Sequence, residues 1–376
     1  MSNAWNHNRL TAALRIDYPI VQGPFGGLPS QKLTAAVSNF GGLGSLGANS
    51  LAPAAIRDAI AEIRTLTSKP FAVNLWVSTE DAGAPASDER AFNRSLAALT
   101  AHFDALGLPR PGYTPQSAMR FDEQVRALLD AKPAVFSFIF GIPPREILDE
   151  CRAKNIAIVG TATTPDEAVK LQEAGVDAIA ASGFEAAGHR GSFIRRAEDS
   201  LYGTLSLVPQ VVDLVDVPVI AAGGIADARG IVAALALGAE AVQMGTVFLP
   251  CDGSGASPLH RETLLAGGGR HTALTTGFTG RLARGIRNRL MESLNEPGVE
   301  TLPYPLQRGL IKHLSTAAEA AHRSDLIPMW AGQTASLATC ADVSVLLRSL
   351  VEDVSSIAGP VAEWRDVRHA RRQTRR

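Results

Sequence analysis

In the stretch DAIAASGFEAAGHRG, from Asp177 to Gly191, a short apolar run gives way to a glycine and then to His189, set between Gly188 and Gly191. Imidazole titrates near neutral pH, and α/β enzymes keep their acid–base groups just past the ends of buried strands. Flanking glycines let a ligand approach the backbone closely. A base so placed can take a proton from a weakly acidic carbon. The chain has eight histidines, and His102, His313 and His322 fall in helical patterns where a histidine is ordinarily a surface or satisfied core group. His189 is therefore the candidate base.

Two further pairs carry chemistry together. Gly223-Gly224 and Gly245-Thr246 each follow a predicted strand, with one helix between them. Either alone reads as a tight strand-to-helix turn. In barrels, however, the loops after the last two strands bind phosphate through backbone N–H groups that only small residues leave accessible, so the two together predict a phosphorylated ligand. Asn74, amid the apolar run FAVNLW, needs hydrogen-bond partners if buried, and a polar ring system or a neighbouring loop backbone would serve equally. Gln243 and Ser182 pose the same question. GLGSLG at 42–47 satisfies a dinucleotide fingerprint, yet the segment before it reads as helix and the glycines themselves lie in a strand. It is read instead as an inner strand that leaves room for a ligand.

The elements that must position these residues repeat. Apolar runs at 18–22, 42–47, 71–76, 134–140, 156–162, 177–182, 218–224 and 241–246 alternate with helical patterns. Length allows one large barrel with an insertion or two domains, and the alternation predicts an α/β chain with a (β/α)8 barrel. Thr164-Pro165-Asp166-Glu167 reads as an N-cap, a proline at the first helical position and a capping-box glutamate, closing at Gly175. Asp227 caps a second helix running to about Gly238. Residues 77–133 are too long for one barrel helix and read as a loop, DAGAPASDE, plus helical segments. Residues 251–335 lose the alternation and predict a mainly helical substrate or lid subdomain. Residues 336–357 return to a helical period, so the barrel is expected over 1–250 and 336–357. The basic stretch 358–376 reads as a frayed tail.

Composition excludes some function classes. A net charge of −1 and 19% charged residues give no global field for nucleic acid. No apolar run approaches a bilayer span, and the N-terminus lacks a signal-peptide layout, so no membrane partner and a cytoplasmic location are expected. The three cysteines, Cys151, Cys251 and Cys340, are too few and too scattered for a disulfide framework or a metal site.

IVQGPF, AVNLW, VFSFIFGIPP, GTATTPDEA, GFEAAGHRG, VIAAGGIADARGI, AVQMGT and WAGQ, taken in order, resemble the nitronate monooxygenase family, formerly called 2-nitropropane dioxygenases, over about residues 16–352. The resemblance implies an FMN-dependent barrel with an added helical domain that oxidises alkyl nitronates with O2 to carbonyl compounds and nitrite. By position it implies His189 as the base, and Gly223, Gly224, Gln243, Met244, Gly245 and Thr246 around the phosphate and ribityl chain. Asn74 with Gly23, Pro24 and Phe25 would line the flavin ring, beside Ser182, Ala187 and Gly188. Phe25, Ile139, His189 and Asn288 would form the substrate pocket. The implied partners are a small nitro compound and O2, with the chain a monomer or homodimer.

Three positions depart from the family pattern. Ser182 and Ala187 stand where relatives usually carry glutamine and glycine, and Ile139 replaces a histidine, which predicts a drier pocket. An NAD(P)H-dependent quinone or enoyl reductase on FMN, and a flavin-binding barrel without turnover, are the alternatives.

Overall fold

The computed structural model describes residues 5–78, 89–114 and 119–358. The tail beyond 358 and most of the DAGAPASDE loop lie outside these residues. The strands in chain order are β1 (Ile20–Gln22), β2 (Phe25–Gly26), β3 (Gly44–Gly47), β4 (Phe71–Trp76), β5 (Val135–Ile139), β6 (Ala157–Ala162), β7 (Ala178–Ser182), β8 (Gly188–His189), β9 (Val219–Ala222), β10 (Ala241–Met244), β11 (Thr272–Thr275) and β12 (Ala283–Ile286). Nine of them form one parallel sheet, ordered β1-β10-β9-β7-β6-β5-β4-β3-β2. A parallel bridge from Val21 to Leu43 joins β1 to the start of β3. With Gln22 N donating to Leu43 O and Leu43 N to Ile20 O, both at 2.9 Å, that bridge closes the sheet on itself. The fold is a TIM-type α/β barrel, and each expected apolar run contributes a strand to it.

The helices are α1 (Arg9–Leu14), α2 (Gln31–Phe40), α3 (Pro53–Leu66), α4 (Glu89–Ala105), α5 (Phe121–Ala131), α6 (Arg145–Ala153), α7 (Pro165–Ala174), α8 (Thr204–Leu214), α9 (Ala228–Ala236), α10 (Pro258–Leu265), α11 (Arg289–Leu294), α12 (Leu306–Ala320) and α13 (Val343–Ala358). The main core lies between the sheet and its surrounding helices, where α13 packs through Leu346, Leu347, Leu350 and Val354. A smaller cluster inside the barrel joins Leu10 and Leu14 of α1 to inward residues such as Val21, Ala72, Val135, Ala178, Ala180 and Ala241. This plug leaves chemistry to the opposite, C-terminal end of the strands.

A second core is separate. Phe92, Leu96, Leu99 and Phe103 of α4 pack with Phe278, Leu290, Leu294, Leu310 and Leu314. The excursion after β4 thus supplies α4 to a cap whose core draws on residues between Phe278 and Ile327, while α5 is the barrel helix and residues such as Cys251, Leu264 and Ala335 belong to the main core. Besides α10, α11 and α12, residues 251–335 contribute β11 and β12 to a three-stranded antiparallel sheet with β8, which the sequence reading did not contain. Ala283 pairs with His189 and Arg284 with Gly188, so cap and barrel meet at the candidate base.

Two local expectations change. Thr164 caps α7 by accepting from Glu167 N, but the Glu167 carboxylate does not return to the N-cap. It accepts instead from Thr163 N (2.6 Å), Thr163 Oγ1 (2.7 Å) and Phe193 N (2.7 Å), because the residue before the N-cap and loop 190–194 both bring donors to it. In β3, a Cβ on Gly44 would fall 1.9 Å from Thr34 O of α2, and one on Gly47 2.5 Å from the Phe25 carbonyl carbon. These glycines admit neighbouring backbone, not a ligand.

Candidate active site

The expected site residues gather where the parallel strands end. Gly23 N donates to Met244 O at 2.8 Å, and the Gly23 Cα hydrogen faces Gly245, since a Cβ there would lie 3.2 Å from Gly245 Cα. Asn74 is buried and donates from Nδ2 to Ser137 Oγ at 3.0 Å. Gln22, fully buried, closes the adjacent seam by accepting Ser45 N and donating to Gly23 O. Met244 is also fully buried in the main core, so only its backbone can face a ligand.

The loops after β7, β9 and β10 are stitched together. Thr204 at the start of α8 donates its N–H to the Glu185 carboxylate (2.8 Å) and its hydroxyl reaches Gly223 O (2.9 Å). Gly332 N donates to Thr246 Oγ1 (2.9 Å) and Gln333 N to Glu185 O (3.0 Å), so the WAGQ loop locks both glycine pairs. Arg190, nearly fully buried, holds the segment after the base by donating to Ser182 O (2.6 Å), Ser200 O (2.9 Å) and Thr163 O (3.2 Å). Burial lowers its pKa to about 10, which leaves it charged at neutral pH.

His189 sits in an aromatic enclosure. Trp76 lies edge-on at 4.8 Å between centroids, Trp330 at 5.3 Å, Tyr304 at 6.3 Å and Phe140 at 6.4 Å. Arg281 stacks over Phe140 at 4.3 Å and Tyr304 at 4.9 Å, and donates from Nη1 to Ser78 O at 3.0 Å. Phe140 holds φ at +66°, a left-handed conformation that costs a side-chain-bearing residue about 1–2 kcal/mol. Such strain persists where surroundings over-determine it, and here it places the ring in the enclosure. Ile139 packs against the cluster of Trp76, Phe140 and Tyr304, and a Cβ on Gly191 would meet its Cγ1 at 2.0 Å.

This enclosure corrects the expectation of a base poised near neutral pH. Although His189 keeps some accessible surface, burial pushes its pKa down to about 3, with Arg281 and then Arg308 adding to the shift. The imidazole is neutral at physiological pH. A proton taken up here must be offset by negative charge formed beside it, which favours a reaction whose product is an anion.

The expected substrate residue Asn288 does not join this cluster. It is the N-cap of α11: Oδ1 accepts Met291 N at 3.0 Å, while Nδ2 donates to Ile327 O at 2.8 Å and Ser324 O at 3.3 Å. Both amide atoms are used in structure. Missed from the sequence were Trp76, Phe140, Thr279, Arg281, Tyr304 and Arg308. They come from strand ends and from the cap, and no spacing links them; the only hint was the arginine-bearing TGFTGRLARG segment.

The residues present suit a flavin nucleotide. A Cβ on Gly188 would meet nothing within 4 Å, and one on Gly245 only Phe25 Cε1 at 4.0 Å, so both positions border open space. The side chains of Ser182 and Gln243 make no hydrogen bond among the described residues, yet neither is sealed from solvent. Polar groups left open around a glycine-lined space are what a polar ring and its phosphate need. Among the described residues there is no group of three or more His, Cys, Asp or Glu able to hold a metal, and no helix long and apolar enough to cross a membrane.

Barrel enzymes carry their chemistry at this end of the sheet, and the chain is an enzyme of that class. A family model described as nitronate monooxygenase matches residues 7–353. A probable nitronate monooxygenase of Staphylococcus aureus (strain Newman) is 40% identical over 354 residues, 94% of this chain and 99% of the relative. The solved nitroalkane oxidase from Streptomyces ansochromogenes superposes with a TM-score of 0.84 at 34% identity, covering 94% of this chain and all of the other. FabK from Thermotoga maritima gives 0.73 at 28% identity, over 95% and 99% of the two chains. The chain belongs to the nitronate monooxygenase family and is a flavin oxidoreductase.

Proposed function

We propose that the chain binds FMN and oxidises alkyl nitronates, and neutral nitroalkanes after loss of their α-proton, with O2 to carbonyl compounds and nitrite. The observation that carries this reading is the neutral, enclosed imidazole of His189, close to Arg281 and Arg308 and next to the open space at Gly188. Gly223, Gly224 and Gly245 with Thr246 would hold the phosphate, and Asn74, Ser182, Ala187, Gln243 and the Gly23–Phe25 backbone the ring and ribityl chain. The bound flavin supplies electron transfer to O2. His189 accepts the α-proton, and the two guanidiniums favour the nitronate that proton loss creates. The aromatic walls and Ile139 keep water from the reacting carbon.

The test is the absorption spectrum of the purified protein, followed by nitrite release from 2-nitropropane and from propionate 3-nitronate in air. His189→Asn should lower kcat/KM on the neutral nitroalkane by about 10²–10⁴-fold and change the rate on preformed nitronate far less. A colourless protein that takes up no FMN overturns the reading, as does a flavin bleached anaerobically by NADH but not by a nitronate.

A further inference from the structure

His189 Nε2 lies 2.9 Å from Thr279 Oγ1, a hydroxyl on the cap and itself buried. Nδ1 makes no hydrogen bond among the described residues and is not sealed from solvent. The two ring nitrogens therefore have different partners, and the proton state of Nε2 decides whether Nδ1 can act as a base. The Thr279 hydroxyl has one proton and two lone pairs. Arg281 O lies 3.3 Å from Thr279 Oγ1 and can accept its proton, while Arg281 N donates to Thr279 Oγ1 at 3.4 Å. With the hydroxyl proton so used, a lone pair of Thr279 Oγ1 is free to accept a proton from the imidazole.

We propose that Thr279 is a positioning residue that holds the Nε2 proton of His189 and so leaves Nδ1 as the bare nitrogen that accepts the substrate's α-proton. This rests on the reading of His189 as the base. It also gives the cap a part in the chemistry. The hydroxyl enters from the segment joining β11 to β12, and β12 pairs with β8, so the cap sets both the position of the imidazole and its tautomer. The charged and titratable groups facing the ring are Arg281, Arg308 and Tyr304; none is a carboxylate that could hold the Nε2 proton in place of Thr279.

The experiment uses the flavin-loaded full chain carrying Thr279→Val or Thr279→Ser. Imidazole ¹⁵N shifts of His189, assigned by difference from His189→Asn, should report an Nε2–H tautomer in the parent and in Thr279→Ser, and a mixed or Nδ1–H population in Thr279→Val. The kcat/KM on 2-nitropropane should fall by about ten- to a hundredfold in Thr279→Val, a part of the full general-base effect. It should stay within about threefold of the parent in Thr279→Ser, and propionate 3-nitronate, which needs no deprotonation, should change by less than about threefold in either. An Nδ1–H tautomer in the parent overturns the inference, as does a Thr279→Val protein whose ratio of neutral to anionic substrate rates equals the parent's. If neither substrate is oxidised by the parent, the proposed function fails, while the ¹⁵N shifts still decide the role of Thr279.

Discussion

Glycines at 42–47 and glycines at 188 and 245 look alike as letters and do opposite work. In the first group, the missing side chains are replaced by protein: the place of a Gly44 Cβ is taken by Thr34 O, and that of Gly42 is crowded by Ile20 O at 2.8 Å. At Gly188 and Gly245 the same volume stays open. The first group brings helix and strand into contact, and the second leaves a space that the fold does not need for itself. A glycine pattern identifies a ligand site only when the atoms around it are known.

That contrast can be broken by substitution. Gly44→Ala should give no soluble folded chain, because backbone at 1.9 Å cannot yield as a flexible side chain would, and the cost exceeds the usual overpacking of about 1–3 kcal/mol. Recovery of folded protein, checked by circular dichroism and gel filtration, would overturn the packing account of β3. Gly245→Val should keep the melting temperature of the flavin-free chain but weaken flavin binding by about tenfold or more, the equivalent of about 1.4 kcal/mol. Equal flavin retention in the variant would mean that the open space at Gly245 lies outside the cofactor site.

Acid sharpens the comparison. The pKa of His189 is held down to about 3 and that of His260 to about 4, in both cases first by burial. Between about pH 6.5, where histidines of the unfolded chain take up protons, and those lower values, the unfolded state binds more protons than the folded one. Stability from these groups is therefore complete above about pH 6.5 and declines as pH falls. Thermal unfolding from pH 7.5 to 4.5 should show this, with a shallower decline in His189→Asn. A purely conformational effect of similar size is expected for Gly188→Ala. The added methyl meets nothing within 4 Å, but φ of +72° strains it by about 1–2 kcal/mol, seen as a modest drop in denaturation midpoint.

Much of the barrel was legible because its signals are local. FAVNLW at 71–76 is β4 without adjustment, and Thr164 and Asp227 cap α7 and α9 from within four residues. The cap was legible only as a loss of alternation. Its sheet pairs β12 with a two-residue strand nearly a hundred positions earlier, and α4 belongs to it through apolar contacts that period alone cannot direct. Within the site, His189 and the paired glycine loops stood out by their flanking glycines. Thr279, Arg281 and Tyr304 did not, because one threonine, one arginine and one tyrosine carry no pattern until folding places them around the imidazole.

The sequence by itself determined the alternation of strands and helices, the family and the residue offered as the base, since each depends on neighbours in the chain or on motifs in order. Tertiary structure decided which glycines face open space and that Asn288 caps a helix. It also made His189 a neutral group far below its ordinary pKa. Burial, charge proximity and the direction of a hydroxyl depend on atoms distant in sequence, so no local reading of His189 could supply them.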